Sequence, residues 1–286
     1  MDANKGSSKT TLELLSDLVR KHTGFSFDGE KEYLLLEKFN LLMEEKNIDN
    51  LIDYYFLLKY GDQEGDEWRS VQSALAVNES YFWREYDQID AAVNVIIPQI
   101  MSEKKDRTIR IWSAGCASGE EPYTLAMSIN EAGWFEKGDI EILATDFDEH
   151  ALTLARAGLY RSRSFRSIPA HILYKYFLPE NGKQYRLVEG IRSKVKFVYM
   201  NLVEDFPDYP QLECDLIFCR NVFIYFSQEA RQKTLHLFYH CLRDSGYLCV
   251  AAAESLLRIT DLFDLTQVDK AYVYKKVLEN KPKDAS

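Results

Sequence analysis

Apolar residues over roughly the first hundred positions recur every three or four residues, and strand-like alternation does not appear before about residue 108. Leu12, Leu14, Leu15, Leu18 and Val19 share a helical face that ends near Gly24. A second run, from Tyr33 to Met43, puts apolar residues on a broad face. A third, Ile48 to Tyr60, stops at the turn-forming cluster Gly61-Asp-Gln-Glu-Gly, and Trp68 to Val77 continues the helical pattern.

The texture then changes. Thr108 to Ser113 is short and β-prone and runs into a small-residue loop, Ala114-Gly-Cys-Ala-Ser-Gly. A helix is predicted to start at Glu120-Glu-Pro, where proline in the first turn gives up an N–H that had no partner. Ile140 to Asp146 reads as a second strand and Ala151–Ala157 as a helix. Later strands are predicted over Val195–Met200, Asp215–Cys219, Tyr247–Ala251 and Ala271–Lys275, with a helix over Gln228–Leu242. Strands alternating with helices imply an α/β fold, a mostly parallel sheet covered on both faces. Between Tyr160 and Lys194 the alternation lapses. There Gln184–Val188 and Lys194–Val198 look like strands flanking Glu189-Gly190, a small β insertion. The polar end, Asn280–Ser286, is expected to fray.

Composition narrows the class. At 286 residues, with roughly 150 per domain as a prior, one large domain or two unequal ones fit. A hydrophobic share of 46% supplies a sizeable core. The formal charge of −10 argues against non-specific binding to nucleic acid or an anionic membrane, which need a positive field. No apolar stretch of about 18 residues predicts a membrane span. The start, Met1-Asp-Ala-Asn-Lys-Gly-Ser-Ser, lacks the apolar core of a signal peptide. Cys116, Cys214, Cys219, Cys241 and Cys249 have no short paired spacing and fit a reducing compartment, so a cytoplasmic location is expected.

The chemistry concentrates at the strand, loop and helix from Ile111 to Pro122. Ligands of open α/β sheets sit beyond the carboxyl ends of the strands, where small residues let backbone approach closely. Asp146, at the end of the second strand, is placed to accept both ribose hydroxyls of a nucleoside. Gly115 and Gly119 do not make the G-x-G-x-x-G pattern of dinucleotide folds. Glu120 and Glu121 stand where a pyrophosphate would want a bare helix N-terminus, so the site suits a cationic ligand without phosphate. An ordinary strand–helix turn with dipole-favoured acids would look similar. His236 and His240 lie four apart but lack the intervening glutamate of H-E-x-x-H and a third ligand, so no metal is expected.

Four segments carry a resemblance. They are Ala76-Val-Asn-Glu-Ser-Tyr-Phe-Trp-Arg, Trp112-Ser-Ala-Gly-Cys-Ala-Ser-Gly-Glu-Glu-Pro-Tyr, Ala144-Thr-Asp-Phe-Asp and Phe218-Cys-Arg-Asn-Val-Phe-Ile-Tyr-Phe. In this order the chain resembles the CheR family, the methyltransferases that act on bacterial chemoreceptors. The resemblance implies a class I (Rossmann-like) methyltransferase sheet preceded by a small all-helical domain. The expected divisions are 1–73 (helical domain), 74–106 (a linker helix segment contributing to the cofactor site) and 107–286 (the catalytic domain, with a β-subdomain near 180–196). It implies S-adenosylmethionine as cofactor, S-adenosylhomocysteine as product, and glutamate side chains of a chemoreceptor cytoplasmic domain as acceptor. The cofactor-side positions it assigns are Asn78, Ser80, Arg84, Gly115, Glu121, Asp146, Asn201, Leu202, Arg220 and Asn221. In Asn201-Leu202 an amide could read an adenine edge. Arg84 and Tyr225 are assigned to the reaction, Tyr225 near the transferred methyl. Alone, Tyr225 would read as core packing.

The chain departs from the family pattern twice. An arginine-studded helix is common in the helical domain, whereas this chain offers only Lys31, Lys38 and Lys46 amid acids. Ala251-Ala-Ala-Glu-Ser-Leu stands where Gly-His-Ser-Glu-Ser-Leu is frequent. The β insertion matches a subdomain that binds a receptor tail peptide in some members. The chain is expected to act as a monomer without nucleic acid or membrane insertion. Competing readings are a same-fold methyltransferase acting on another protein or a small carboxylate, and a weakly active cofactor-binding signalling module. A nicotinamide-dependent dehydrogenase is disfavoured by Glu120 and Glu121.

Overall fold

The computed structural model describes residues 2–27, 29–103, 108–206 and 211–278. The tail expected to fray, 280–286, lies outside the described residues. The chain opens with α1 (Asp2–Thr23), α2 (Glu32–Lys46), α3 (Leu51–Phe56) and α4 (Asp66–Leu75). Leu15 and Val19 of α1, Leu35 and Phe39 of α2 and Val71 of α4 are fully buried, so the 3.6-residue period sets which face turns inward. Asn50 caps α3, its side chain accepting the Asp53 N–H at 2.9 Å. Glu67 is buried in this bundle, and the Tyr54 hydroxyl at 2.6 Å and Lys46 at 3.0 Å supply the partners that a buried acid requires.

Two short helices follow, α5 (Asp87–Ala91) and α6 (Ile97–Glu103), joined by a π-helical turn. The sheet region then runs β1 (Ile109–Ala114), α7 (Glu120–Glu131), α8 (Trp134–Lys137), β2 (Ile140–Asp146), α9 (Glu149–Ala157), β3 (Leu159–Arg161), α10 (Ala170–Tyr176), β4 (Phe177–Pro179) and β5 (Gln184–Leu187). It continues through α11 (Glu189–Arg192), β6 (Val195–Tyr199), β7 (Cys214–Phe218), α12 (Gln228–Cys241), β8 (Leu242–Cys249), β9 (Phe263–Val268) and β10 (Ala271–Lys276).

Seven strands form one sheet in the order β6-β2-β1-β7-β8-β10-β9. The first five pair in parallel, while β10 and β9 close the far edge antiparallel. Every residue of β7 is buried, as a central strand covered on both faces must be. Sequence order runs one way from β1 through β2 to β6 and the other way through β7 and β8. The reversal falls between β1 and β7, and their carboxyl ends open the crevice where such folds take ligands. On one face, Trp112 and Phe238 belong to the same apolar cluster as the helices α1 to α4, so the bundle packs on the sheet. No helix among the described residues is long and apolar enough to cross a membrane.

A second sheet, β3-β5-β4, is antiparallel. Here the structure corrects the expectation from sequence. Gln184–Leu187 is the middle strand of this small sheet, but the run after Lys194 is β6, which pairs with β2 in register Ile142↔Val195. The insertion therefore occupies 159–187. Alternation identifies a strand but not its partner, and β3 and β4 are only three residues long. Strand β9 has no counterpart among the predicted strands, because an edge strand that leaves Asp264, Leu265 and Gln267 exposed carries little apolar signal.

Candidate functional site

At the end of β1 the chain turns at Gly115, with φ +73°. A Cβ there would lie 2.5 Å from Val222 Cγ2, so only glycine lets this turn meet the loop after β7. The next strand, β2, ends in Asp146. Its Oδ2 accepts the Ala117 N–H at 2.8 Å and its Oδ1 the Asp148 N–H at 2.9 Å. Burial outweighs these bonds and pushes the Asp146 pKa up to about 6. Asp148 caps α9 and also accepts from Asn78 Nδ2 at 2.8 Å, which fastens the segment leaving the helical domain to the end of β2.

The two acids that open α7 diverge, because neighbouring helical residues do not share a face. Glu121 lines the crevice. Glu120 is 2% exposed and turns away, accepting from Ser118 Oγ at 2.8 Å and Ser164 Oγ at 3.0 Å. The sequence places both acids at the phosphate position; the structure leaves one. Glu121 is in turn held by Ser113 Oγ at 2.7 Å and by Arg220 Nε at 2.6 Å, while Arg220 donates from Nη1 to the Glu85 carbonyl at 2.8 Å. This nearly buried pair is internally neutral. Among the described residues Asp146 faces no cation within bonding distance, so the floor carries its uncompensated negative charge there.

The loop after β7 is anchored from beneath. Buried Glu254 accepts the N–H groups of Asn221 at 2.7 Å, Ala251 at 3.1 Å and Ile224 at 3.2 Å. Burial raises the Glu254 pKa against these bonds. The anchor holds Asn221 in a left-handed conformation, φ +62°, and delivers Tyr225 on the short helical turn Phe223–Tyr225. Tyr225 packs against Phe25, and its carbonyl accepts the Ser26 N–H at 2.9 Å. Burial pushes the phenol pKa up and nearby Arg84 opposes it weakly, so Tyr225 remains a protonated donor near neutral pH. Arg84 donates to the Glu79 carbonyl at 2.7 Å.

Asn78, Ser80, Arg84, Gly115, Glu121, Asp146, Asn201, Leu202, Arg220, Asn221 and Tyr225 all line one cleft. Its empty volume is about 890 Å³, mouth included, within the usual range of roughly 300–1,000 Å³ for small-molecule sites. Within it, Asn201 is also tied to the helical domain. Its amide nitrogen donates to the His22 carbonyl at 2.6 Å and its oxygen accepts the Val203 N–H at 3.2 Å, which fixes the side chain and leaves one N–H and one lone pair of the amide for a ligand. The exposed His236 and His240 do not line the cleft. Sequence reasoning missed Thr23 and Phe25, which bring the helical domain into the wall, and the anchors Asp148 and Glu254. Both anchors stand inside segments already singled out, in the strand-end Asp-x-Asp and in Glu-Ser-Leu. Phe25 arrives through a long-range bridge to Phe226 and has no local signal.

Comparison with known proteins agrees with this layout. Residues 10–75 match the CheR methyltransferase all-alpha domain, and residues 78–272 match the CheR methyltransferase SAM binding domain. Chemotaxis protein methyltransferase 2 of Vibrio cholerae is 33% identical over 272 residues, covering 94% of each chain. Chemotaxis protein methyltransferase 1 of Pseudomonas aeruginosa is 30% identical over 277 residues, covering 94% of this chain and 98% of the relative. The match thus includes both the helical bundle and the sheet with its cleft, and the chain belongs to the CheR methyltransferase family as an S-adenosylmethionine-dependent methyltransferase.

Proposed function

We propose that this protein esterifies glutamate side chains of a chemoreceptor's cytoplasmic domain, in the cytoplasm, as a step of chemotactic adaptation. The single observation that carries this reading is the acidic floor: among the described residues Asp146 has no cation within bonding distance, and it stands at the end of β2 in the same cleft as Gly115. The residues fit S-adenosylmethionine. Asp146 offers carboxylate oxygens to ribose hydroxyls, and the absent Cβ of Gly115 leaves room beside it. The Glu121–Arg220 pair presents matched charges to the ammonium and carboxylate of an amino acid. The wall formed by Leu202 and Phe147 serves an adenine ring by apolar contact, and the Asn201 amide keeps one N–H and one lone pair for its edge.

When bound, the cofactor supplies an electrophilic methyl on a sulfonium. A substrate glutamate is ionised near pH 7, with an ordinary pKa of about 4.3, so the chain needs no general base. Its task is alignment, which in favourable intramolecular cases is worth roughly 7–11 kcal/mol. Arg84 holds the incoming carboxylate, and the Tyr225 phenol bounds the transfer channel and donates a hydrogen bond. The helical domain closes the cleft through Phe25 and keeps water out.

The test is incubation with methyl-labelled cofactor and the purified cytoplasmic fragment of a chemoreceptor from the same genome, followed by alkali. Label released as methanol supports a glutamyl ester. Base-stable label, or none on the fragment, assigns a different acceptor. An Arg84→Ala enzyme with unchanged turnover would remove Arg84 from its role.

A further inference from the structure

The mouth of the cleft presents a difficulty that its floor does not. On the reading that the acceptor is an ionised glutamate, from which the role of Arg166 below is inferred, the entrance should not repel a carboxylate. Yet Glu79 lines the cleft between Asn78 and Ser80. Its charge reaches the reacting end, since Glu79 is among the groups acting on the Tyr225 phenol.

One residue outside the cleft answers that charge. Arg166 donates from Nη2 to Glu79 Oε1 at 3.0 Å, and its guanidinium carbon sits 3.7 Å from the centroid of the Tyr81 ring. Arg84 lies over the same ring at 5.5 Å. Exposed ion pairs are usually loose, but this one is built on a fixed base. The Phe82 N–H donates to the Ser164 carbonyl at 2.9 Å, and the Phe82 and Phe165 rings stack at 5.7 Å with an interplanar angle of 10°. Tyr81 and Arg166 are thus carried by adjoining positions on two strapped segments. Glu79 accordingly stays below the usual carboxylate range, held chiefly by Arg166.

We infer that Arg166 is a positioning residue for substrate entry: pinned on Tyr81, it cancels the Glu79 carboxylate so that an acidic side chain can pass to Arg84 and Tyr225. It acts through Glu79, not by touching the transferred methyl. Arg84 is left available for the substrate because its hydrogen bond goes to the Glu79 backbone carbonyl and not to the carboxylate. Exposed at the surface, Arg166 can be removed without opening a core cavity.

Steady-state methylation of the purified receptor fragment tests this with the full-length enzyme. Arg166→Ala should raise the KM for the fragment roughly three- to tenfold, the scale of a like charge exposed at a rim. It should leave kcat and the cofactor KM near wild type. Adding Glu79→Gln to that variant should restore the fragment KM, because the uncovered charge is gone. Raising NaCl should narrow the gap between Arg166→Ala and wild type as screening sets in. An unchanged fragment KM in Arg166→Ala, or no rescue by Glu79→Gln, overturns the inference while leaving the proposed reaction in place. Wild-type enzyme that puts no base-labile label on the fragment overturns both.

Discussion

The floor and the mouth of the cleft handle charge in opposite ways. At the floor Asp146, and beneath it Glu254, are 6% exposed and bind backbone N–H groups, so their positions are those of the backbone itself. At the mouth, Glu79 and Arg166 are exposed and bind each other. Floor charges are costly to bury and costly to lose, and they define one ligand. Mouth charges are screened, exchangeable and easily altered. On the proposed reading, cofactor recognition is written into the fold and acceptor entry on its surface.

Substitutions should separate the two regions by the size and kind of effect. The largest is expected at Gly115. Alanine there adds about 1–2 kcal/mol of left-handed strain and about 1–3 kcal/mol of overpacking against Val222. Calorimetric titration should show cofactor binding weakened roughly a hundredfold; wild-type affinity would mean that the loop after β7 is not fixed in place. Next, Glu254→Ala strands the N–H groups of buried Ala251 and of Asn221 and Ile224 and should lower unfolding stability by about 2–4 kcal/mol. Thermal melting measures this, and an unshifted midpoint would show that the loop is held some other way.

Asp146 offers a pH test with a defined sign. Its folded pKa lies above its ordinary value, near 6 against 3.8. Ionisation therefore removes stability as pH rises between those values. A ligand that donates hydroxyls to the carboxylate pulls that pKa back down and releases a proton on binding near pH 6. Cofactor affinity should rise through pH 6 and level off by about pH 8, and Asp146→Asn should flatten the profile while costing roughly ten- to a hundredfold in affinity. A wild-type profile that is flat from pH 5 to 8 would contradict this role. The smallest effect belongs to α2, whose outward side mixes Tyr33 and Leu41 with acids, and whose Lys46 is engaged by Glu67. Reversing exposed Lys38 to Glu should shift the receptor KM by less than about twofold. A larger change would move partner recognition to that helix.

The floor is more legible in the sequence than the walls. β1, β2 and the start of α7 are readable to within a residue because short apolar runs, a small-residue loop and Pro122 are local signals. Gly115, Glu121 and Asp146 can be gathered because each belongs to a strand end or the segment beside it, whereas Asn78, Ser80 and Arg84 are assigned only by the family resemblance. Which of the two acids faces the cleft is hidden, since the partner of Glu120, Ser164, lies some forty residues away. The orientation of Asn201 depends on His22, and the mouth pair joins Glu79 to Arg166 across 87 positions. β6 is recognisable as a strand but not by its neighbour, for the same reason. Local pattern decides what an element is; tertiary pairing decides what its polar groups face.

The floor of the cleft, on this account, holds an adenosyl ligand with a cationic tail and no phosphate. Titration calorimetry of the intact protein with S-adenosylmethionine, and separately with NAD, measures it directly. One saturable site for S-adenosylmethionine, weakened in Asp146→Asn, with no heat from NAD, is the expected result. Binding of NAD in the cleft, with S-adenosylmethionine giving none, would contradict the account.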